Sequence, residues 1–353
     1  MRILLKRLLA ILSQLKPGLV SGSVYEQASH FLFNGKYVWT YNDHMCAIHP
    51  FKTKFPFSVN AQDFHSLCTK LNNTGFDVIS ITLEKNKLLI KAKNDKGKSK
   101  KEFEGRIDCL STIEEMSLFF NQFSLDQNKW NPLPDNFVEG VDLCLLSLSD
   151  DITDRRFSSV HVHKKYLLSS DDIRLTKVNL SSPMNDSFVM PGFNLSYFSN
   201  FTFDKYLIDF PWSIFKSSES GVILCIRLVD QEPLVPGDIF NFDKTEISIP
   251  ADFKEVIDLC SVSSKETGII KFCFNNNSLE CKGADESKHF AIKQNIDFKG
   301  EETIFSGSTL FLKQLFDIID IKNFKMFCCK EKSKLLFASD QVQHLLALIN
   351  EKG

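Results

Sequence analysis

Apolar residues near the start of the chain recur at helical spacing. They are Leu4, Leu5, Leu8, Ile11, Leu12 and Leu15. The polar residues between them, which include Lys6, Arg7, Ser13 and Gln14, fall on the opposite face. This pattern predicts an amphipathic first helix. A signal peptide is not expected, because charged residues interrupt the apolar stretch and no small-residue cleavage site follows it.

A second helical pattern occurs twice, one third of the chain apart. Residues 134–144 return as residues 250–260, with six of eleven positions identical and an offset of 116 residues. Each copy has a Pro before apolar residues spaced i, i+4, i+7, namely Phe137, Val141, Cys144 and Phe253, Ile257, Cys260. Both segments are therefore predicted to be amphipathic helices built on one template.

Two further elements recur at close to one third of the length. Short strands precede Asp43, Asp171 and Asp285, and a strand running into an amphipathic helix is predicted at residues 57–64, 188–193 and 304–311. Each third therefore contains a helix, then strands, then a second strand and helix followed by more strands. This order predicts two similar halves per third.

The remaining apolar runs are short, and many of them alternate with polar residues, as strands do. Turn sequences between them at residues 34–35, 84–86 and 275–278 predict antiparallel hairpins. The fold class is thus α+β, with three similar domains. We expect the domains at residues 1–110, 131–238 and 239–353. Residues 111–130 would form a helix and a linker, and residues 230–237 would join the second domain to the third.

Overall charge limits the possible functions. The chain of 353 residues has 42 Lys plus Arg against 44 Asp plus Glu, a formal net charge of -2. A strongly basic nucleic-acid binder is excluded, and any DNA contact must come from locally sorted charge. The ten cysteines form no CxxC pair, which favours reduced thiols in a cytoplasmic protein. No apolar run approaches the length of a membrane span.

Catalytic motifs are missing from the sequence. It has no phosphate-binding loop, no dinucleotide-binding glycine motif and no nucleophile elbow, so neither enzymatic activity nor a cofactor is expected. His161 and His163 are the best candidate metal ligands, but exposed strand histidines explain them better because no third ligand is near. The repeated Asp43, Asp171 and Asp285 are explained by turn capping rather than by a carboxylate site.

Residues 160–175 carry a resemblance to a known family. Ser170, Asp171, Arg174 and Leu175 fit a strand pair that ends in Thr-Asp-Gly-x-Arg-Leu, whereas Asp172 replaces the Gly. The chain resembles the beta sliding clamps of bacteria and phages, the DNA polymerase III beta subunits, over essentially its whole length. The order of residues 268–285 and the final strand at 344–349 also follow that family.

The resemblance implies a non-catalytic processivity factor. Each domain would have two β-α-β-β-β halves, with sheets outside and helices lining a pore, and two chains would close head to tail around duplex DNA. Three domains favour this dimer over the trimers that two-domain clamps form. The alternative is a protein-interaction scaffold that has the clamp fold but does not encircle DNA.

A pore needs only weak, sequence-independent attraction to phosphate. The resemblance implies that basic residues on the helices supply it, namely Lys6, Arg7, Lys70, Lys254 and Lys313. Each could equally be a solvated residue on the polar face of an ordinary helix. The lysine-rich run from Lys85 to Lys101 has two interpretations, a charged soluble hairpin, which we favour, and a DNA-contacting loop.

The resemblance also implies a hydrophobic cleft that binds short linear motifs of the polymerase and the clamp loader. Its residues would be Phe157, Ser170, Asp172, Arg174, Leu175, Pro236, Leu345, Leu346, Ala347 and Leu348. The leucines could instead be ordinary core residues of a strand. An extended peptide that buries two or three apolar side chains would bind there at roughly micromolar strength.

Overall fold

The structure is a computed structural model that describes most of the chain. The described residues are 1–19, 26–94, 101–110, 130–247, 249–265, 267–275, 277–284, 289–296, 298, 302–329 and 333–349. The predicted helix and linker at 111–129, the turn residue Asp285 and the last residues, 350–353, lie outside this set.

Five α-helices occur in the described residues. They are α1 (Leu5–Gln14), α2 (Ala61–Asn73), α3 (Phe137–Leu145), α4 (Phe253–Ser263) and α5 (Thr309–Ile318). Short 3-10 helices lie at Lys16–Gly18, Glu26–Ser29, Gly192–Asn200 and Ile321–Asn323.

The strands of the first half of the chain are β1 (Arg2–Leu4), β2 (His30–Phe33), β3 (Tyr37–Asn42), β4 (Met45–Pro50), β5 (Phe57–Asn60), β6 (Val78–Glu84), β7 (Lys87–Asn94), β8 (Lys101–Leu110), β9 (Asn131–Pro132), β10 (Ser159–Val162), β11 (Tyr166–Ser170) and β12 (Arg174–Asn179). Those of the second half are β13 (Phe188–Pro191), β14 (Lys205–Asp209), β15 (Trp212–Lys216), β16 (Ile223–Arg227), β17 (Lys244–Ile247), β18 (Ile269–Asn275), β19 (Ser278–Ala284), β20 (His289–Asn295), β21 (Thr303–Ser308), β22 (Lys325–Cys329), β23 (Lys334–Ala338) and β24 (Val342–Ala347).

The described strands form six groups of four with one repeated order. The twelve-stranded sheet runs β1-β6-β7-β8-β5-β2-β3-β4-β16-β15-β14-β9, the eight-stranded sheet β13-β10-β11-β12-β24-β23-β22-β17, and the four-stranded sheet β20-β19-β18-β21. In every group a strand that precedes a helix pairs with a meander of three strands. The prediction of two β-α-β-β-β halves in each third is confirmed.

Within each third the two leading strands are exchanged. The strand before the first helix pairs with the meander after the second, as β1 does with β6, while β5 pairs with β2. The same exchange occurs for β9 with β14 and for β17 with β22. In the first and last thirds this exchange interlocks the two halves, because each half receives its leading strand from the other.

The first helix buries the stripe that its sequence predicts, with one exception. Leu5, Leu8, Ile11 and Leu12 are buried in α1, whereas Leu4 is 59% exposed. Leu4 belongs to β1, where it pairs with Val78 of β6. The predicted helix thus begins one residue late, because the preceding residues are held in a strand.

The helix predicted after residue 188 is a 3-10 helix rather than an α-helix. Leu195 and Phe198 are fully buried at a spacing of i, i+3, which matches three residues per turn. The segment is rich in Gly, Ser and Asn, which are weak α-helix formers. An apolar pattern of i, i+3 alone could not distinguish the two helix types.

Two compact units divide the chain. The first consists of Met1–Leu133 and Ser199–Leu228, and the second of Pro134–Phe198 and Val229–Gly353. The twelve-stranded sheet lies wholly in the first unit, and the other two sheets lie in the second. The boundaries of the three predicted domains stay predictions.

Two negative findings apply to the described residues. None of their helices is long and apolar enough to cross a membrane. All ten cysteines lie within the described residues, where nine of them are buried and none is joined in a disulfide. The expectation of reduced thiols stays a prediction.

Candidate functional site

The predicted basic residues of the first unit lie exposed on its helices. Lys6 and Arg7 occupy the polar face of α1, and Lys70 lies in the last turn of α2. Among the described residues none of the three forms an ion pair. Their charges are therefore available to an anionic ligand.

The predicted basic residues of the second unit have carboxylate partners. Lys254 of α4 lies 2.8 Å from Asp317 of α5, and Lys313 of α5 lies 2.9 Å from Asp258 of α4. The hydrogen bond from Lys254 lowers the pKa of Asp317, and the same bond raises the pKa of Lys254. These two reciprocal bridges join the helices and neutralise both lysines.

The lysine-rich segment forms the outer face of a hairpin in which most described lysines are paired. Three cross-strand bridges connect β7 to β8, namely Lys87–Asp108 at 3.3 Å, Lys91–Glu104 at 2.9 Å and Lys93–Glu102 at 2.7 Å. This arrangement favours the charged soluble hairpin over the DNA-contacting loop. Lys96, Lys98 and Lys100 lie outside the described residues.

Turn capping is confirmed for Asp171 and is wrong for Asp43. Asp171 Oδ1 accepts hydrogen bonds from the backbone N–H groups two and three residues later, at 3.1 and 2.6 Å. In the first third Asn42 Oδ1 accepts the equivalent bonds at 2.9 and 2.7 Å. The repeat is therefore aligned through Asn42, one residue before Asp43, since either side chain can close this turn.

The predicted cleft residues are divided between the two faces of the eight-stranded sheet. Leu175 of β12 lies opposite Leu345 of β24, and Arg174 lies opposite Leu346. Because side chains alternate along a strand, Leu175 and Leu345 share one face while Arg174 and Leu346 share the other. The structure therefore does not bring the whole predicted set together.

Arg174 lies on the face that packs against α5. Its guanidinium bonds Asp171 Oδ2 at 2.6 to 2.8 Å and Gln314 Oε1 at 2.7 Å, and it covers the ring of Phe311 at 3.9 Å from the centroid. The side chains of Arg174 and Asp171 are each only 9% exposed. These contacts give Arg174 a structural role, and its role in peptide binding stays a prediction.

A buried hydrogen-bonded chain continues along that face. Ser147 Oγ lies 2.7 Å from Thr176 Oγ1, which lies 2.9 Å from His344 Nδ1. Burial is the main cause that lowers the pKa of His344 to about 3, and the nearby Arg174 lowers it further. His344 is therefore neutral in the folded protein at neutral pH.

Leu175 and Leu345 lie on the opposite, outer face in an apolar cluster. They pack with Leu168 and Leu336, and half-buried residues surround this centre, namely Tyr166, Leu234, Phe240, Phe242, Phe327 and Ala338. Leu234 comes from the segment predicted to join the second domain to the third, and Phe240 and Phe242 come from the residues just after it. Sequence reasoning missed these aromatics, although their alternation at residues 240 and 242 is a strand-like signal.

The other predicted cleft residues lie at turns or strand ends. Asp172 is exposed with a φ of 73°, the left-handed conformation that a glycine adopts readily. Ser170 Oγ accepts from the Asp172 N–H at 3.3 Å and donates to the carbonyl of Arg174 at 2.9 Å. Asp172 therefore keeps the tight turn that the motif's Gly would make. Phe157, Pro236 and Ala347 are half-buried, and Leu348 is buried.

The interpretation of His161 and His163 as exposed strand histidines is wrong. His161 is fully buried; its Nε2 lies 2.7 Å from the carbonyl of Arg156, and its Nδ1 accepts from the Leu234 N–H at 3.0 Å. The half-buried His163 bonds the carbonyl of Leu234 through Nε2 at 2.9 Å. Burial lowers the pKa of both rings. The pair therefore anchors the segment containing Leu234 to the sheet.

No metal centre emerges in the part of the chain that the structure describes. It contains no group of three or more His, Cys, Asp or Glu side chains that could hold an ion. His161 and His163, the candidate ligands from the sequence, use ring nitrogens for hydrogen bonds to backbone groups.

Six β-α-β-β-β copies in exchanged pairs define the fold class of the three-domain DNA clamps. Over 99% of its length the chain is similar to the crystal structures of the DNA polymerase III beta subunits of Pseudomonas aeruginosa and Thermotoga maritima. The TM-score is 0.78 for both, with 14% and 15% sequence identity and coverage of 99% and 98% of those chains. A putative beta subunit from Eubacterium rectale gives 0.80 at 14% identity, with 99% of each chain covered.

The similarity is one of structure rather than of sequence. No protein-family model matches the chain, and no curated protein matches it either. At 14–15% identity the solved structures establish the fold, and the resemblance inferred from residues 160–175 is confirmed at that level.

Proposed function

We propose that this protein is a DNA sliding clamp, a non-catalytic processivity factor that encircles duplex DNA as a head-to-tail homodimeric ring in the cytoplasm. It tethers a replicative polymerase and other partners, including a clamp loader, through short linear motifs. The observation that carries the proposal is the six-copy fold, which extends over the whole length of the solved beta subunits.

The exposed charges of the first unit support attraction to phosphate. Lys6, Arg7 and Lys70 have no carboxylate partners among the described residues, and exposed cations of this kind attract phosphate without reading sequence. Lys254 and Lys313 contribute less, because Asp317 and Asp258 already neutralise them. The attraction is therefore concentrated in the first unit.

Two free sheet edges support the head-to-tail dimer. In the described residues the last strands of four groups pair with each other, β4 with β16 and β12 with β24. The last strands of the other two groups are β8 and β20; residues 101–108 of β8 pair only with β7, and β20 pairs only with β19. Long unpaired edges invite another chain. By the logic of the repeat, β8 of one chain pairs with β20 of the next.

Apolar side chains flank both edges on their helix sides. Phe103 and Ile107 of β8 line a groove of about 670 Å³ beside α2. Phe290 of β20 is 45% exposed, and Ile292 is half-buried beside it. Pairing of the edges would place the partner's Phe290 at this groove and remove apolar surface from water.

Retention on circular DNA tests the ring. The protein is incubated with nicked circular plasmid and separated from free protein by gel filtration in moderate salt. We expect the protein to stay with the circle and to be released when a restriction enzyme linearises it. Equal retention on circular and linear DNA would assign the chain to the non-encircling scaffold instead.

Solution mass tests the proposed edges. The wild-type protein should have twice the 40.4 kDa mass of one chain. Phe290→Asp should convert it to monomers, because a carboxylate would be buried at the seam. Phe210→Asp changes a Phe that is 64% exposed and lies outside both edges, and it should leave the dimer intact. A dimeric Phe290→Asp variant would contradict this interface.

The uneven distribution of charge has its own test. Lys6→Gln combined with Arg7→Gln should weaken binding to a short duplex and lower the salt slope by about two, since each phosphate contact contributes about 0.9. Lys254→Gln should change the slope little. Asp317→Asn, which frees Lys254, should raise it. Equal losses from the α1 and α4 variants would contradict the assignment.

A further inference from the structure

A cavity of about 760 Å³ lies in the first unit, between the start of the chain and the residues that follow β4. Positive charge and apolar surface meet on its walls. We call it the basic–aromatic cavity and define it by six of its lining residues, which are Arg2, Leu4, Arg7, Lys36, Phe51 and Lys52.

The positive charge of this cavity is not balanced by carboxylates. Arg2, Arg7, Lys36 and Lys52 are all exposed. Among the described residues none of the four forms an ion pair, and none of the residues lining the cavity is an Asp or a Glu. By contrast, three lysines of β7 are paired across to β8. Four like charges around one cavity create a local potential that favours an anion.

An aromatic ring lies among these charges. Phe51 is half-buried and lines the cavity together with Leu4, which is 59% exposed. The ring centroid of Phe51 is 5.8 Å from that of Phe33, in a T-shaped arrangement with the ring planes at 65°. A T-shaped contact covers at most one face of a ring. The cavity therefore offers aromatic and apolar surface as well as charge.

Backbone hydrogen bonds fix the wall that contains Phe51. Its N–H donates to the carbonyl of Lys36 at 2.9 Å, and the N–H of Thr53 donates to the carbonyl of Gly35 at 3.0 Å. Asn34 Oδ1 accepts from the N–H of Lys36 at 3.1 Å. The ring and the lysines beside it are thus attached to a braced turn, which reduces the cost of ordering them when a ligand binds.

An unpaired nucleotide has the complementary chemistry. Its base is a planar ring, and the phosphates on either side of it are anions. Proteins bind single strands with aromatic side chains for the bases and a basic groove for the backbone. The bases of a duplex are stacked on one another and must leave the stack before they can enter a cavity. An acidic peptide could satisfy the charges, but it has no planar ring in every unit.

We propose that the basic–aromatic cavity binds single-stranded nucleic acid. One base contacts Phe51, and the phosphates that flank this base contact the four cations. This site goes beyond the proposed function, because it recognises an unpaired strand and does not require a ring. Arg7 contributes to it as well as to the attraction of duplex phosphate, whereas Lys36, Lys52 and Phe51 serve the single strand alone.

Two matched oligomers of eight units test the site with the full-length protein. One is a fluorescently labelled oligothymidine, and the other has the same phosphates but lacks the bases. We expect fluorescence anisotropy in low salt to show roughly tenfold tighter binding of the oligothymidine, as one stacked base would give. Thymidine monophosphate at the same nucleotide concentration should displace it poorly, because it lacks the flanking phosphates.

Replacing the ring tests the contact with the base. Phe51→Leu keeps an apolar side chain but removes the aromatic face, so the preference for the oligothymidine should fall below about threefold. Binding of the oligomer without bases should change less than about twofold. Circular dichroism checks that the variant is folded.

Replacing the lysines tests the contact with phosphate. Lys36→Gln combined with Lys52→Gln should weaken both oligomers equally and lower the salt slope by about 1.4, since each contact to a single strand contributes about 0.7. Binding to a short duplex should change less than about twofold. Lys54→Gln is the matched control, because Lys54 is exposed two residues after Lys52 but does not line the cavity. It should change the slope by much less than Lys52→Gln alone.

Four results would overturn the inference. Equal binding of the two oligomers would show that no base is recognised. Equal effects of Lys52→Gln and Lys54→Gln would show that only the surrounding field attracts the strand, and a matching loss of duplex binding would assign the cavity to the duplex. Efficient displacement by thymidine monophosphate or by an acidic peptide would assign it to a free nucleotide or to a protein partner. None of these results bears on the ring, which the circular-DNA experiment decides separately.

Discussion

Two pairs of strands, β4 with β16 and β12 with β24, each join two of the four-stranded groups, and we call these two ladders seams. The seams occupy equivalent places in the repeat but differ in the chemistry of their side chains. In the first unit β4 pairs with β16, and Cys46 lies opposite Cys225 among fully or nearly fully buried apolar residues. In the second unit β12 pairs with β24, and Arg174 and Thr176 lie opposite Leu346 and His344. One seam is an apolar core, and the other contains a buried polar network.

The difference teaches that the backbone ladder and the alternation of buried faces suffice to define a seam. The side chains are then free to diverge as long as every buried polar group has a partner. In the second seam Ser147, Thr176, His344, Arg174 and Asp171 all have one. Such a network fixes one arrangement, but it is costly to disrupt in part.

Replacing an arginine in each seam should reveal the largest contrast. Arg174→Ala would leave the carboxylate of Asp171 buried without its cation, and we expect unfolding free energy to fall by about 3–5 kcal/mol. Arg227→Ala in the first seam removes an exposed side chain that donates a 3.4 Å hydrogen bond to the carbonyl of Asp43. Its cost should be about 0.5 kcal/mol or less.

Urea unfolding followed by circular dichroism measures both changes. Equal losses in the two variants would break the comparison, because they would mean that the buried bridge matters no more than an exposed contact. Arg174→Lys retains the charge but not the two-pronged geometry, and it should fall between wild type and Arg174→Ala.

A nearly isosteric change tests the hydroxyl chain in the second seam. Thr176→Val keeps the shape of the side chain but leaves Ser147 Oγ and His344 Nδ1 without their shared partner, so we expect a loss of about 1–3 kcal/mol. Thr176→Ser keeps the hydroxyl and should cost about 1 kcal/mol, as expected for a lost methyl group. A more stable Val variant would show that the seam needs only apolar burial.

The polar seam should also make stability depend on pH through His344. Its folded-state pKa is about 3, whereas an unfolded histidine titrates near 6.5. Below about pH 6.5 the unfolded chain binds a proton that the folded chain does not, so stability falls as pH drops, by about 1.4 kcal/mol per unit from this group.

Urea midpoints between pH 7 and pH 5 provide the measurement. His344→Asn should lower stability at pH 7, but it should also flatten the decline, because the titrating group is gone. An unchanged slope in this variant would assign the pH dependence to other groups.

Much of the fold could be predicted because burial leaves a periodic signal. The pair of segments at 134–144 and 250–260 forms α3 and α4 with Phe137 and Phe253 fully buried, as their spacing indicates. The 3-10 helix at Gly192–Asn200 was missed, since the choice between helix types depends on local packing as well as on apolar spacing. Exchange of the leading strands leaves no sequence signal at all.

The candidate site was predicted less well, because it depends on which charges and faces meet in space. Lys70 and Lys254 look alike in the sequence, but of the two only Lys254 has a carboxylate partner among the described residues, supplied by a helix about sixty residues away. Leu175 and Arg174 lie on opposite faces of the sheet because side chains alternate along a strand. A list of motif residues does not show which face each residue occupies. A resemblance to a family indicates which sequence positions correspond, but it does not indicate which charged groups or sheet faces surround them in this chain.

The turns that lead into the two seams yield the smallest expected effect. Asn42 and Asp171 close them with the same pair of side-chain bonds, but only the second turn contains a non-glycine residue at positive φ, Asp172 at 73°. Asp tolerates this conformation better than most residues, yet a side chain there still costs energy that a Gly avoids.

Asp172→Gly should therefore stabilise the protein by about 0.5–1 kcal/mol. Asp43→Gly, at the equivalent turn without positive φ, should lower stability slightly, because there glycine only adds freedom to the unfolded chain. Opposite signs in the two urea midpoints would confirm that the seams share one turn position with different backbone demands, whereas a loss in both would mean that Asp172 contributes through its carboxylate instead.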